Sequence, residues 1–552
     1  MIADIHITEK SFGDKTLMKD VKFSVDDGEK VGVVGRNGVG KSTLFGILSG
    51  KDTDYTGEVI FRRGITVATT AQEHHGLGDQ TVMSYILGGL PEYSKLKKII
   101  DEYPLTMGDN MRKIEEYTQA LERFDQKGFY QVEEKIEREL SKFQLDGYGN
   151  RKIFSLSGGQ KRLVEIVKIM HSEAHLALID EPTNHMDYVA KQQFIDWMNS
   201  QPHQAMLIIT HDRDVLGQVD RIVEIKDGQA VSYRGNYDAY LKQNAQATTA
   251  GMNNFEQIEK RIVNLKQKVL DYQRLKEKSR NPGTIQKFKR LENEARAELE
   301  ELSEMEKPTF WIDKESASQL DYKSAERYGK FKSRNIRLSM KDASSRSQHV
   351  LVRAENVAVG IGERILFEDV NIDLREGEAI EIRGRNGAGK TTLIRMILAS
   401  GKSFDGGPIL YSGDIFLDPQ VRIGVYEQEI DERYLSDPLE KAIEKLYMSR
   451  DLSISDTKIR QLLADYLFTD ADRMTPLARL SGGQKARFQI IAMLANDPQL
   501  LILDEPTNHL DLPSIEELET ALAKYSGAIL YVSHDNYFRE KLGGKVVQIG
   551  AE

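Results

Sequence analysis

Two segments of the chain carry glycines, a lysine and a hydroxyl at a spacing suited to a triphosphate. GRNGVGKST at 35–43 and GRNGAGKTT at 384–392 both fit G-x-x-x-x-G-K-[ST]. Gly35, Gly38 and Gly40, and in the second copy Gly384, Gly387 and Gly389, let backbone N–H groups approach phosphate oxygens. Asn37 and Asn386 lie within the two loops, and Thr43 and Thr392 end the motifs. Lys41 and Lys390 can neutralise β- and γ-oxygens, and Ser42 and Thr391 can ligate Mg²⁺. Further on, Leu176 to Asp180 and Leu500 to Asp504 are apolar runs ending in an acid placed to hold that metal. Glu181 and Glu505 come next, where a carboxylate can polarise an attacking water. His211 and His534 each follow another apolar run (LIIT, ILYVS) and can contact a γ-phosphate. This is phosphoryl-transfer chemistry, present twice.

Each such set needs a strand, a loop and a helix to hold it. Val31 to Val34 and Ala379 to Ile382 are the apolar segments before the loops, and helical segments follow them. The repeat extends further. LSGGQK at 156–161 returns at 480–485, and DEPTNH returns 324 residues after its first copy. Thr210-His211-Asp212 returns as Ser533-His534-Asp535. Four motifs in one order make the chain a tandem duplication of a nucleotide-binding module. The spacing also changes: 85 positions separate Gln72 from Ser157, but 53 separate Gln428 from Ser481. About 32 extra residues therefore lie in the first copy, around 94–143. There Ile114, Tyr117, Leu121 and Phe124, then Ile136, Leu140 and Phe143, have helical spacing, punctuated by Pro104, Gly108 and Gly128. A small helical arm is expected.

Between the copies, over 243–345, Phe255, Ile258, Ile262, Leu265, Val269 and Tyr272 alternate steps of three and four. SRNPG at 279–283 breaks the pattern, with Pro282 and Gly283 read as helix breakers. A second run follows through Phe288, Leu291, Ala295, Leu299 and Leu302. The expectation is an antiparallel helical hairpin, its first arm at 254–279 roughly 39 Å long at 1.5 Å per residue. Its tip, 274–290, carries Arg274, Lys276, Lys278, Arg280, Lys287, Lys289 and Arg290 against Glu277 alone. The return arm is acidic. Segregated positive charge on a projecting tip fits a polyanion better than a solvated helix face does. A second basic stretch, 322–346, includes Tyr322, Tyr328 and Phe331, able either to stack on bases or to anchor the linker.

Composition limits the rest. The 552 residues hold 76 Lys and Arg, 86 Asp and Glu, and no Cys, with a net charge of −10. Without cysteine there are no disulfides, iron–sulfur clusters, thiolate zinc sites or thiol catalysis. A uniformly basic nucleic-acid binder is excluded, though a local patch is not. MIADIHITEKSFGDK is acidic early and lacks the apolar core of a secretory signal, and no run reaches the 18 apolar residues of a spanning helix. A soluble, cytoplasmic protein is expected.

Together, the P-loop, LSGGQ, the Asp-Glu pair and the following histidine resemble ATP-binding cassette domains. Two cassettes on one chain, a basic-tipped hairpin between them and an arm in the first resemble the ABC-F family. DEPTNH in both copies and Tyr233-Arg-Gly-Asn-Tyr-Asp-Ala-Tyr240 before the hairpin add to the likeness, which covers essentially the whole chain. It implies an α/β fold: two P-loop cassettes, 1–242 and 346–552, joined by the hairpin linker. It also implies two ATP molecules held head to tail in a monomer. One would meet Lys41, Ser42, Gln72, Asp180, Glu181 and His211, closed by Ser481, Gly482, Gly483 and Gln484. The other would meet Lys390, Thr391, Gln428, Asp504, Glu505 and His534, closed by Ser157, Gly158, Gly159 and Gln160. Gln72 and Gln428 join the Mg²⁺ ligands, and Asp187 and Asp511 couple the sites. An aromatic stacks on adenine 23 residues before the P-loop; Phe12 fits, while the second copy has Ile361. ABC-F proteins enter the ribosomal tRNA exit site and reach P-site tRNA with the hairpin. Some relieve stalling and others protect against ribosome-targeting antibiotics; a short tip leans toward general translation support. A transporter ATPase subunit and a DNA-repair ATPase share the cassette motifs and stay open as alternatives.

Overall fold

A computed structural model describes residues 1–13, 15–70, 79–108, 110–184, 186–303, 310–318, 322–333, 335–338, 349–402, 407–427 and 430–550. They form two compact units, Met1–Tyr237 with Ile336–Glu552, and Asp238–Asn335.

The larger unit contains the duplication. In its first half a six-stranded sheet has the order Val67–Thr69, Leu176–Asp180, Ala205–Ile209, Lys30–Gly35, Arg221–Lys226, Gln229–Arg234. The last strand alone is antiparallel to its neighbour. The second half has a five-stranded parallel sheet, Ile423–Tyr426, Leu500–Asp504, Ala528–Val532, Ala379–Arg383, Lys545–Gln548. Continuous apolar runs such as LALID and LLILD form these strands because parallel sheets are covered on both faces. Register does the positioning. Ile209 pairs with both Asp180 and Val33, so the strands carrying the acid, the P-loop and Thr210-His211 end at one sheet edge. Open α/β sheets bind ligands outside that edge.

Each cassette adds a three-stranded antiparallel sheet, Lys15–Val25, Ala3–Phe12, Thr56–Phe61 in the first and Arg364–Arg375, Val350–Ile361, Ile409–Leu417 in the second. Ile5, Ile7, Met18 and Val21 pack there against Leu44 and Leu48 of the P-loop helix Lys41–Leu48. The helix is entered through Gly40 at φ 103, and its counterpart Lys390–Leu398 through Gly389 at φ 99. A side chain at either glycine would also collide, at 2.8 Å with Leu17 or 2.9 Å with Phe367.

The first copy's extra residues form two helices, Tyr93–Thr106 and Met111–Gln126. The expected arm at 94–143 is too long at its end. Val132–Lys142 ends 15 residues before the signature serine, as Asp456–Asp465 ends 16 before its own, so it belongs to the subdomain shared by both copies. Its periodic Ile136 and Leu140 face that common core. Pro104 lies inside the last turn of its helix rather than ending it.

In the smaller unit the hairpin consists of Tyr237–Lys278, at 42 residues much longer than the expected 254–279, and Pro282–Ser303. Pro282 and Gly283 do not break a helix; they begin the second one, where a missing N–H costs nothing. The chain turns at 279–281 instead. Leu265 and Val269 of the first arm pack with Ala295, Leu299 and Leu302 of the second, and Tyr272 stacks on Phe288 at 6.4 Å. The unit ends at Asn335 rather than 345, because Ile336 joins the core of the second cassette.

Candidate active site

Two cavities lie between the cassettes, each built from the P-loop of one copy and the signature of the other. The first, 550 Å³, is lined by Asn37, Gly38, Gly40, Lys41, Ser42, Thr43, Asp180, Glu181 and His211 of the first cassette. Ser481, Gly482 and Gly483 of the second close it. The other, 900 Å³, gathers Asn386, Gly387, Gly389, Lys390, Thr391, Thr392, Asp504, Glu505 and His534 with Ser157, Gly158, Gly159 and Gln160. Both have the size of a small-molecule pocket, about 300–1,000 Å³. Gln72 and Gln428 lie outside the described residues.

The phosphate end is pre-assembled. Lys41 Nζ donates to the Gly35 carbonyl at 2.7 Å and the Arg36 carbonyl at 3.2 Å. Lys390 does the same with Gly384 and Arg385 at 2.9 and 3.0 Å. Ser42 Oγ donates to Asp180 Oδ2 at 3.1 Å, and Thr391 Oγ1 to Asp504 Oδ2 at 2.7 Å. A hydroxyl beside one carboxylate fits Mg²⁺, which is commonly held by one or two carboxylates plus substrate phosphates. Burial raises the Asp504 carboxyl above its ordinary range, a cost that a bound cation would remove.

At each site the carboxylate and the histidine form a pair. His211 Nε2 stands 3.4 Å from Glu181 Oε1, and His534 Nε2 stands 3.3 Å from Glu505 Oε1. Burial pushes Glu181 up to about 8 and Glu505 up to about 7, with Asp180 and Asp504 acting in the same direction. Burial, helped by Lys41 and Lys390, drives both histidines down to about 3, so they are neutral at pH 7. Both glutamates take left-handed backbone, φ 46 and 51. For a non-glycine residue this costs on the order of 1–3 kcal/mol and marks a site whose geometry the surroundings impose. Both ring nitrogens of His211, Nε2 of His534 and Oε1 of Glu505 are buried without a hydrogen-bond partner. An oxygen-rich ligand would relieve that.

The signature and the aspartate loops close the sites from across the interface. Ser157 and Ser481 cap the helices Gly158–His171 and Gly482–Leu494 in reciprocal capping boxes. Gln160 and Gln484 are the other halves of those boxes. Gln484 also donates to Asp472 at 2.7 Å and does not line its cavity, unlike the expectation that it closes on ATP. Asp187 accepts from the Asn386 N–H at 3.0 Å and Asp511 from the Asn37 N–H at 3.1 Å. Approach is close enough that a Cβ at Gly483 would lie 2.0 Å from Asn37 Nδ2.

The two base ends differ. Phe12 is 57% exposed at the mouth of the first cavity, with Leu17 beside it. Ile361, 54% exposed, takes the same place in the second with Leu366 and Arg364. Ile361→Tyr is expected to tighten ATP at the second site and Phe12→Ala to weaken the first. An aromatic stack is worth about 0.5–1.5 kcal/mol, so each change should be several-fold. Nucleotide titration with one P-loop lysine removed at a time checks this; equal affinities at the two parental sites would contradict it.

Two lining residues escaped the sequence reading. Arg162 borders the first cavity, and its Nε donates to the Glu181 carbonyl at 3.4 Å; the second copy has Ala486 there. Arg364 borders the second. Comparing the copies position by position would have exposed both.

The hairpin tip is a separate candidate surface. Arg274, Lys278, Arg280, Lys287, Lys289 and Arg290 are exposed, with Arg290 3.4 Å from Glu294. Lys276 is different: it clamps the two arms through Glu292 at 2.6 Å. Glu292 also takes Arg296 and Gln273, and these bonds, that from Lys276 foremost, hold its carboxyl down to about 2. Of the three aromatics at 322–346, Tyr328 and Phe331 are buried with Met252 and Ile312, so they anchor the linker and are not free to stack on bases. The side chain of Tyr322 lies outside the described residues.

Comparison with known proteins agrees with this architecture. The family model described as ABC transporter matches residues 18–184 and 367–508. The chain is 30% identical to the Bacillus subtilis ATP-binding protein YdiF, over 100% of this chain and 80% of that protein. It is 29% identical to ABC transporter F family member 2 of Arabidopsis thaliana, over 98% and 75% respectively. To the ribosome protection protein VmlR of Bacillus subtilis it is 27% identical, over 96% and 83%. With two cassettes facing each other across paired P-loops and signatures, the chain belongs to the ATP-binding cassette family, as a tandem-cassette ATPase of the ABC-F branch.

Proposed function

We propose that this ATPase is a cytoplasmic translation factor, a monomer that closes on ATP while bound to the ribosome. It enters the tRNA exit site and reaches P-site tRNA with its hairpin, relieving stalling or protecting against ribosome-targeting antibiotics. The observation that carries the reading is the exposed basic tip on a chain alike along its length to a ribosome protection protein. Clustered Lys and Arg bind a phosphate backbone without base contacts.

Within the sites, Glu181 and Glu505 each orient a water and take its proton on the carboxylate. A base whose pKa burial has brought near 7 is well matched to that task at neutral pH. His211 and His534, neutral, offer ring N–H groups to the γ-phosphate. The signature serines and glycines, at helix starts, offer backbone N–H groups from the opposite side. Mg²⁺, held by Ser42 with Asp180 and by Thr391 with Asp504, would neutralise the phosphate charge. Gln72 and Gln428 complete that ligand set by family resemblance. Because each γ-phosphate touches both cassettes, its loss on hydrolysis reopens the clamp.

Sedimentation with ribosomes, in parallel with duplex DNA and with membrane vesicles, tests the assignment. ATP-dependent pelleting with ribosomes alone is expected. Retention on DNA alone would favour a repair ATPase, and retention on vesicles a transporter subunit, although no helix among the described residues is long and apolar enough to cross a membrane.

A further inference from the structure

The interface between the cassettes is symmetric around the P-loops and asymmetric where it buries charge. Asp187 and Asp511 repeat each other, each capping its own helix and accepting an N–H from the opposite P-loop. One turn further along those helices the likeness ends. Lys191 stands where the second copy has Ile515. Its side chain is buried, and its three ammonium donors are all placed. One goes to the His534 carbonyl of the second cassette at 2.8 Å. The others go to Asp214 Oδ2 at 2.7 Å and Asp212 Oδ2 at 3.2 Å of its own cassette. Asp214 also accepts from Asn536 Nδ2 at 2.8 Å, across the interface. Beside it Arg213 pairs with Glu519 at 2.9 Å, both buried, where the mirrored positions are Asn536 and Ile195.

We propose that Lys191 is a positioning residue for hydrolysis at the second site, acting through His534, and that it braces the two histidine loops against each other. His534 holds Glu505 twice, its backbone N–H donating to Oε2 at 3.2 Å and its ring standing 3.3 Å from Oε1. Fixing the His534 carbonyl fixes both contacts. Asp212 directly follows His211, so one ammonium spans both loops. Ile515 has no donor to offer the His211 loop in return. The stretch 187–191 thus grips the second site at its P-loop and its histidine, while the first site is gripped from across only by Asp511. A buried lysine between carboxylates holds only with every partner in place, which makes the brace geometrically exact.

The inference rests on Glu181 and Glu505 being the hydrolytic carboxylates, and the test separates the two. Lys191→Met with Asp214→Asn, which keeps the cluster charge-balanced, is placed in Glu181→Gln and Glu505→Gln backgrounds that leave turnover to the second or the first site. With the second site active, kcat is expected to fall about 10- to 100-fold with KM for ATP within about threefold, because displaced groups lose rate more than binding. With the first site active, kcat should fall less than about threefold. Lys191→Arg, able to span the same acceptors, should recover much of the loss. Equal losses in the two backgrounds, or none, overturn the inference while leaving the carboxylates in place. Turnover persisting with both glutamates replaced overturns the carboxylate reading, and the inference with it. If the double variant does not fold, Lys191→Arg alone is read for the same inequality, and its absence counts against the brace.

Discussion

Glu181→Gln with Glu505→Gln is expected to lower ATP turnover by at least about 100-fold while leaving ATP affinity within about threefold. General-base catalysis contributes roughly 10²–10⁴ in rate, and an amide of the same shape cannot take the proton. Binding should survive because the cradle is made of other groups. Lys41 and Lys390 stay on their P-loop carbonyls, and Ser42 and Thr391 stay on Asp180 and Asp504. The glutamine carbonyl can still accept the His534 N–H that Glu505 accepts now. Burial already disfavours charge at both positions, so a neutral amide is well tolerated. The clamp should then close and stay closed, and expression should slow growth. Steady-state phosphate release beside equilibrium nucleotide binding checks both halves. A parental rate in the double variant would mean that these carboxylates do not take the proton.

Reversing the hairpin tip should have the other large effect. Arg280, Lys287, Lys289 and Arg290 changed together to Glu convert the balance over 274–290 from about +6 to about −2 without touching either cavity. Lys276 is left alone because it ties the arms through Glu292. The Leu265, Val269, Ala295 and Leu299 seam is also kept, so circular dichroism should show the parental helix content. Only the Arg290–Glu294 contact is lost, an exposed pair worth a few tenths of a kcal/mol. Basal ATPase should persist, while ribosome binding should drop by orders of magnitude. For the parent, log affinity should fall steeply with log salt; the variant's residual binding should fall less steeply, since fewer counterions are released. Parental ribosome binding by the variant would reduce the tip to a solvated helix end.

Much of this was legible in the sequence because the chemistry is local there. The P-loop, the acid-terminated strand and the histidine are each contiguous, and a parallel sheet brings their ends together by register alone. The duplication supplied the pairing of one copy's P-loop with the other's signature. What stayed hidden was non-local or a matter of competing partners. Gln484 looked like a ligand contact until Asp472 and the capping box claimed its amide. Lys276 counted as tip charge although Glu292, 16 residues away, holds it. Pro282 read as a break because periodicity does not distinguish a helix end from the first turn of the next helix, where proline is welcome. Val132–Lys142 was assigned to the arm because its apolar positions are as periodic as those of the inserted helices, and only its packing separates them.

The central claim, an ATP-closed clamp held on the ribosome by a basic tip, meets its most direct test in one sedimentation experiment. Protein with both glutamates replaced by Gln is centrifuged with ribosomes, with ATP or with ADP, and with or without the tip reversal. The account predicts near-stoichiometric pelleting with ATP, little with ADP, and little in either nucleotide once the tip is reversed. Equal pelleting with ATP and ADP, or undiminished pelleting of the tip-reversed protein, would contradict it.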